Sequence, residues 1–145
     1  GGLRGLRHQH MKLLEKLNDS LMGRFRLLGH LPYEDVLKLY SRSHAVLIPS
    51  VWEEPLPYVV MEAMAMGTIP IASRIGGIPE IVEGTPAENY LFEPGNINDL
   101  TDRIESLLTM SNKQITDVGI ILREAVLRKF SLEVTKKKLM TVFSL

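Results

Sequence analysis

The chain has 145 residues, 45% of them hydrophobic, which is the size of one ordinary domain with enough apolar side chain to bury a core. Basic and acidic residues number 17 each, so no global field gathers DNA, RNA or an anionic surface, and nucleic acid is disfavoured as the main partner. The absence of Cys excludes a disulfide scaffold, thiol catalysis and thiolate metal sites, and it fits a reducing compartment with the cytoplasm as default.

In chain order, 8–18 (HQHMKLLEKLN) carries Met11, Leu14 and Leu17 at helical spacing and predicts a helix that closes near Asn18 and Gly23. FRLL at 25–28 is a short apolar run ended by Gly29 and reads as a strand. Pro32 then opens YEDVLKLYSRS, where Val36, Leu37 and Tyr40 form one face of a helix. AVLIPS at 45–50 is a continuous apolar run suited to a strand buried on both faces, and VVMEAMAM after it reads as a helix stopped by Gly67. A third unit follows: TIPIAS at 68–73 as strand, Gly76 and Gly77 as turn, and IPEIVE at 78–83 as a helix with Pro79 in its first turn. YLFEP at 90–94 is the last strand. Beyond it, Asn98 or Asp99 is placed to cap a helix through Leu107, a second helix covers roughly 113–128, and Ser131 caps a final one reaching about 143. Strands alternating with helices define an α/β fold, a parallel sheet with helices on both faces, which binds ligands at the carboxyl ends of its strands. The apolar runs fall far short of the roughly 20 residues that cross a bilayer, and no signal-peptide apolar region opens the chain, so it reads as soluble.

The chemistry concentrates after AVLIPS. The loop through Trp52, Glu53 and Glu54 leaves a strand at its carboxyl end, and the next helix is expected to begin near Pro57, a residue with no backbone N–H to leave unpaired. The free amides of Tyr58 and Val59, with the positive end of the helix dipole, suit the oxygens of a diphosphate. Glu62 lies on the same helix face one turn further along, where its two oxygens can accept both hydroxyls of a ribose. Glu54, on the other side of those amides, is placed to accept hydroxyls of a sugar. Taken singly, each glutamate has a plainer reading: Glu54 as a charge that neutralises a helix start, Glu62 as a solvated helical residue.

The whole string EEPLPYVVMEAMAMGTIPIASRIGGIPEIVE resembles the signature of glycosyltransferase family 4, in which two glutamates are separated by seven residues. The resemblance extends upstream through FRLLGHLPYEDVLKLYSRSHAVLIPS and downstream through YLFEPGNINDLTDRIESLL and KFSLE, and so covers nearly the whole chain. It implies a GT-B architecture of two Rossmann-like domains facing across a cleft, with residues 1–145 forming part of the C-terminal, nucleotide-sugar-binding domain. It implies a retaining hexosyltransferase that uses a UDP-, GDP- or ADP-sugar without a metal ion. Residue by residue, it gives Glu54 the donor-sugar hydroxyls and the catalytic position, the backbone around Tyr58 and Val59 the sugar or phosphate, and Glu62 the ribose. Two departures stand out. Many family members carry Gly where this chain has Pro57, which removes one amide from the site and alters donor contacts. The family's C-terminal domain also opens with a strand, a helix and a strand bearing an Arg and a Lys that clamp the diphosphate, and nothing here matches them. The chain is therefore expected to be a fragment, inactive alone without an N-terminal acceptor domain, or to cover exposed strand edges by self-association.

Gly76 and Gly77 admit both a turn and a close ligand, and the resemblance brings Gly77 to the cleft as a donor neighbour. Arg74 reads better as a surface residue than as a phosphate ligand, and Trp52 as a sugar platform or as a plug beneath the loop. His8, His10, His30 and His44 lack metal spacing, and no metal is assigned. The KKK run at 136–138 reads as the solvated face of a helix carrying Leu132, Leu139 and Phe143 on its other side; contact with the inner face of a membrane is the second reading. A non-catalytic nucleotide-sugar-binding module is the alternative function. A signalling receiver is disfavoured, because the chain opens without the acidic residues such a fold needs at its first strand.

Overall fold

The computed structural model describes Arg24, Arg26 and residues 28–142, with Lys138, Leu139 and Val142 described by backbone alone. The chain divides into Gly1–Pro32 and Tyr33–Leu145, and every element below belongs to the second unit. The helix expected at 8–18 lies outside the described residues, as does most of the strand expected at 25–28, where Arg26 and Leu28 are in neither helix nor strand.

The elements run α1 (Tyr33–Tyr40), β1 (Ala45–Ile48), α2 (Tyr58–Ala65), β2 (Ile69–Ser73), α3 (Ile78–Val82), a 3-10 helix (Pro86–Tyr90), β3 (Leu91–Phe92), α4 (Ile97–Leu108), α5 (Asn112–Phe130) and α6 (Leu132–Val142). The three strands form one sheet in the order β1-β2-β3, and both pairings are parallel. In register, Ala45 faces Ile69 and Ile48 faces Ala72 across the first pair, and Ala72 faces Leu91 across the second. This is the α/β, Rossmann-like arrangement that the alternating pattern predicts.

Strand β2 holds the centre. All five of its residues are buried, so helices and connections cover both of its faces, as a central parallel strand requires. AVLI does not meet its own expectation: β1 is an edge strand among the described residues, and Leu47 is 52% exposed. An apolar run cannot distinguish a strand flanked on both sides from one flanked on one side, since the covering elements lie elsewhere in the chain.

Helix α2 puts Val60, Ala63 and Met64 into the core at helical spacing, and α5 adds Gly119, Leu122 and Val126 on one stripe. The two helices meet where Gly67, at φ +76°, ends the α2 turn. A Cβ on Gly119 would lie 2.2 Å from the Gly67 carbonyl oxygen, so only glycine permits that approach. Helix α5 begins with a capping box, in which the Ser111 amide donates to Gln114 Oε1 at 2.8 Å and the Gln114 amide to Ser111 Oγ at 3.3 Å. Helix α4 is capped by Asn96, whose Oδ1 accepts from the Asp99 amide at 3.1 Å, two residues before the earlier of the caps expected from sequence. Ser131 caps α6 as expected, accepting from the Val134 amide at 3.3 Å.

Candidate functional site

The loop from Pro49 to Pro57 leaves β1 at its carboxyl end and delivers the chain to the start of α2. Pro57 is the N-cap, with φ −72° and ψ 99°, and provides no side-chain cap. The Val60 amide is already used, donating to the Pro57 carbonyl at 3.1 Å. The amides of Tyr58 and Val59 have no acceptor among the described residues, so α2 presents two unpaired donors and its positive dipole end to the surface. The Tyr58 and Val59 side chains are both exposed beside them.

Glu54 is exposed on this loop, and its backbone is fixed from behind by the Gly76-Gly77 turn. The Gly77 amide donates to the Glu54 carbonyl at 3.0 Å. A Cβ on Gly77 would lie 2.0 Å from the Pro55 oxygen, and one on Gly76 would lie 2.5 Å from the Glu54 oxygen. Gly77 is buried and its N–H is committed to the protein, so its glycine is required by the packing of two backbones against each other. The turn positions Glu54 across the carboxyl ends of β1 and β2. At the end of β2 the buried Ser73 hydroxyl has no hydrogen-bond partner among the described residues.

Glu62 is half-buried and not merely solvated. The Tyr33 hydroxyl of α1 donates to Glu62 Oε1 at 2.8 Å. That bond favours the neutral phenol and is the leading reason the Tyr33 pKa is raised above 10.0. Tyr40, on the same helix, is raised first by burial and then by the Glu62 charge. The contact spans 29 residues, so local spacing gives no signal for the partner, although Tyr33 falls on the same α1 face as Val36, Leu37 and Tyr40. Glu62 also lines a cavity of about 400 Å³ with Leu56, Tyr58 and Met61 on one side and Val126 and Phe130 of α5 on the other.

Glu54, Tyr58, Val59 and Glu62 are thus brought to one helix start and its first turn, with Gly77 beneath. Trp52 is 68% exposed on the same loop, which removes the reading of a plug. Arg74 follows β2 and pairs with Glu93 at 3.5 Å, as a surface residue does. Lys136 and Lys137 are exposed on α6, as is Leu132. His44 is exposed, and no group of three His, Asp or Glu side chains among the described residues is placed to hold a metal.

The parallel Rossmann-like sheet with its helices defines the class, the α/β fold of GT-B glycosyltransferase domains. Residues 7–117 match the family described as "Glycosyl transferases group 1", and the chain belongs to that family. It is 31% identical over 107 residues to spore coat protein SA of Bacillus subtilis, covering 74% of this chain and 28% of that protein. It is 33% identical over 97 residues to a sulfoquinovosyl transferase of Arabidopsis thaliana, covering 66% of this chain and 18% of that protein. Among solved structures, sucrose-phosphate synthase from Thermosynechococcus elongatus superposes with a TM-score of 0.78 at 28% identity, over 97% of this chain and 34% of that one. The chain therefore spans about a third or less of the length of these relatives.

Proposed function

We propose that this chain is the donor-binding part of a retaining glycosyltransferase of family 4 that moves a hexosyl group from a UDP-, GDP- or ADP-sugar to an acceptor. The observation that carries the reading is the α2 start: two unpaired amides flanked by Glu54 before them and Glu62 one turn after.

In this account the Tyr58 and Val59 amides and the helix dipole hold the diphosphate and stabilise the charge that develops as the nucleotide leaves. Glu54 accepts hydroxyls of the donor sugar and orients its anomeric carbon. Glu62 accepts the ribose diol, with its carboxylate turned by the Tyr33 hydroxyl. Catalysis then rests on positioning and electrostatics and needs no metal ion. Retention follows from the family resemblance alone. The acceptor site and a cationic clamp for the diphosphate belong to other parts of the whole protein, so the 145 residues bind donor without turning it over. The cytoplasm, with peripheral membrane contact through α6, is the location that suits such an enzyme.

Calorimetric titration of the chain with UDP-, GDP- and ADP-sugars is the test. One donor is expected to bind saturably, and Glu54→Ala is expected to weaken it about tenfold, the effect of losing a charge-assisted hydrogen bond. Sugar transfer by the chain alone at an ordinary enzyme rate would overturn the division of labour.

A further inference from the structure

A second concavity, of about 340 Å³, lies at the opposite end of the sheet. It is framed by the α1–β1 connection, the α2–β2 turn and α5, at the amino ends of β1 and β2. Arg42 and His44 enter it from the connection and Arg123 from α5, while Met66 and Gly67 contribute from the turn. Among the described residues no carboxylate lines it.

Neither arginine forms an ion pair among the described residues, whereas Lys38, Arg74, Arg103 and Lys113 each do. In a chain with 17 residues of each sign, two guanidinium groups around one hollow without a described carboxylate make a local positive field that the overall composition does not supply. The hydroxyls of Ser41, Ser43 and Thr116 donate to the carbonyls of Lys38, Leu39 and Asn112, so the side-chain donors left for a ligand are those of Arg42, His44 and Arg123. Guanidinium forks match the oxygens of a phosphate bidentately, which makes arginine pairs the preferred frame for such a group.

We propose that this basin binds a phosphate group, free or as a monoester, between Arg42 and Arg123. The site is separate from the donor site: Gly67 closes the far end of α2, whose eight residues span about 12 Å. The same chemistry is offered by a soluble phosphate and by a phosphomonoester lipid headgroup.

The test follows the backbone amides of Gly67 and Gly119 and the Arg42 and Arg123 side-chain N–H groups by NMR. Inorganic phosphate is titrated into the full chain at constant ionic strength, with chloride as the reference. Saturable shifts specific to phosphate are expected, and Arg123→Gln and Arg42→Gln are each expected to weaken binding about tenfold. Arg128→Gln, elsewhere on α5, is expected to change nothing. Co-sedimentation with phosphatidic acid vesicles that phosphate competes away assigns the lipid source, and no co-sedimentation assigns the soluble one. Shifts that match those of chloride, or phosphate affinity unchanged in either folded variant, would overturn the proposal.

Discussion

A carboxylate one turn into a helix swings freely unless another group restrains it, and in this chain the Tyr33 hydroxyl restrains Glu62. The bond has a pH signature. Because the folded-state pKa of Tyr33 is raised above 10.0, its stabilising contribution is complete below pH 10.0 and is lost as pH rises through the raised value. In an ultraviolet titration Tyr33→Phe is expected to delete a late-titrating tyrosine, and Glu62→Ala to return that tyrosine toward its ordinary value. A Tyr33 that titrates normally in the unaltered chain would contradict the contact. At Gly77 the consequence is steric. Adding a methyl 2.0 Å from the Pro55 oxygen forces the two backbones apart, and Gly77→Ala is expected to cost about 1–3 kcal/mol in urea unfolding. The same change displaces Glu54 and is expected to weaken donor binding with it.

Helix α5 ties the two ends of the domain together. Gly119 sits against Gly67, and Leu122 and Val126 fill the core beside α2. Truncating the fully buried Leu122 to Ala is expected to destabilise by about 2–5 kcal/mol, measured by thermal or urea unfolding, whereas exposed Ile121→Ala should change little. Much of this was legible: the βα alternation, the start of α2 at Pro57, the stop at Gly67 and the Ser131 cap all follow from short-range spacing. The Ser111-to-Gln114 box, which the sequence reading did not draw on, starts α5 one residue before the expected 113. What spacing could not reveal was set by distant partners. Asn96 outcompetes Asn98 and Asp99 as the α4 cap, and Asp99 Oδ2 instead accepts from the Glu93 amide at 2.7 Å. The Tyr33–Glu62 bond and the packing of Gly77 on Pro55 depend on contacts between separate βα units. The glutamate pair was legible because seven intervening residues fix both ends of one loop and helix; the restraints on it were not.

Among the described residues, β2 and β3 are fully buried, whereas β1 is an edge strand with Leu47 exposed. Hydrogen exchange should reflect this, with the non-proline amides of β2 slow and the amides of β1 that face away from β2 fast. Uniformly slow β1 amides would mean that a neighbour pairs with that edge, and analytical ultracentrifugation would distinguish a second copy of the chain from a covering segment of its own. The most direct test of the donor site is an amide-resolved NMR titration of the chain with the nucleotide sugar that binds in calorimetry. The largest shifts are expected at Tyr58 and Val59, smaller ones at Glu54 and Glu62, and none at Gly67 or Gly119. Saturable binding that leaves the Tyr58 and Val59 amides unmoved would contradict a donor site at the α2 start.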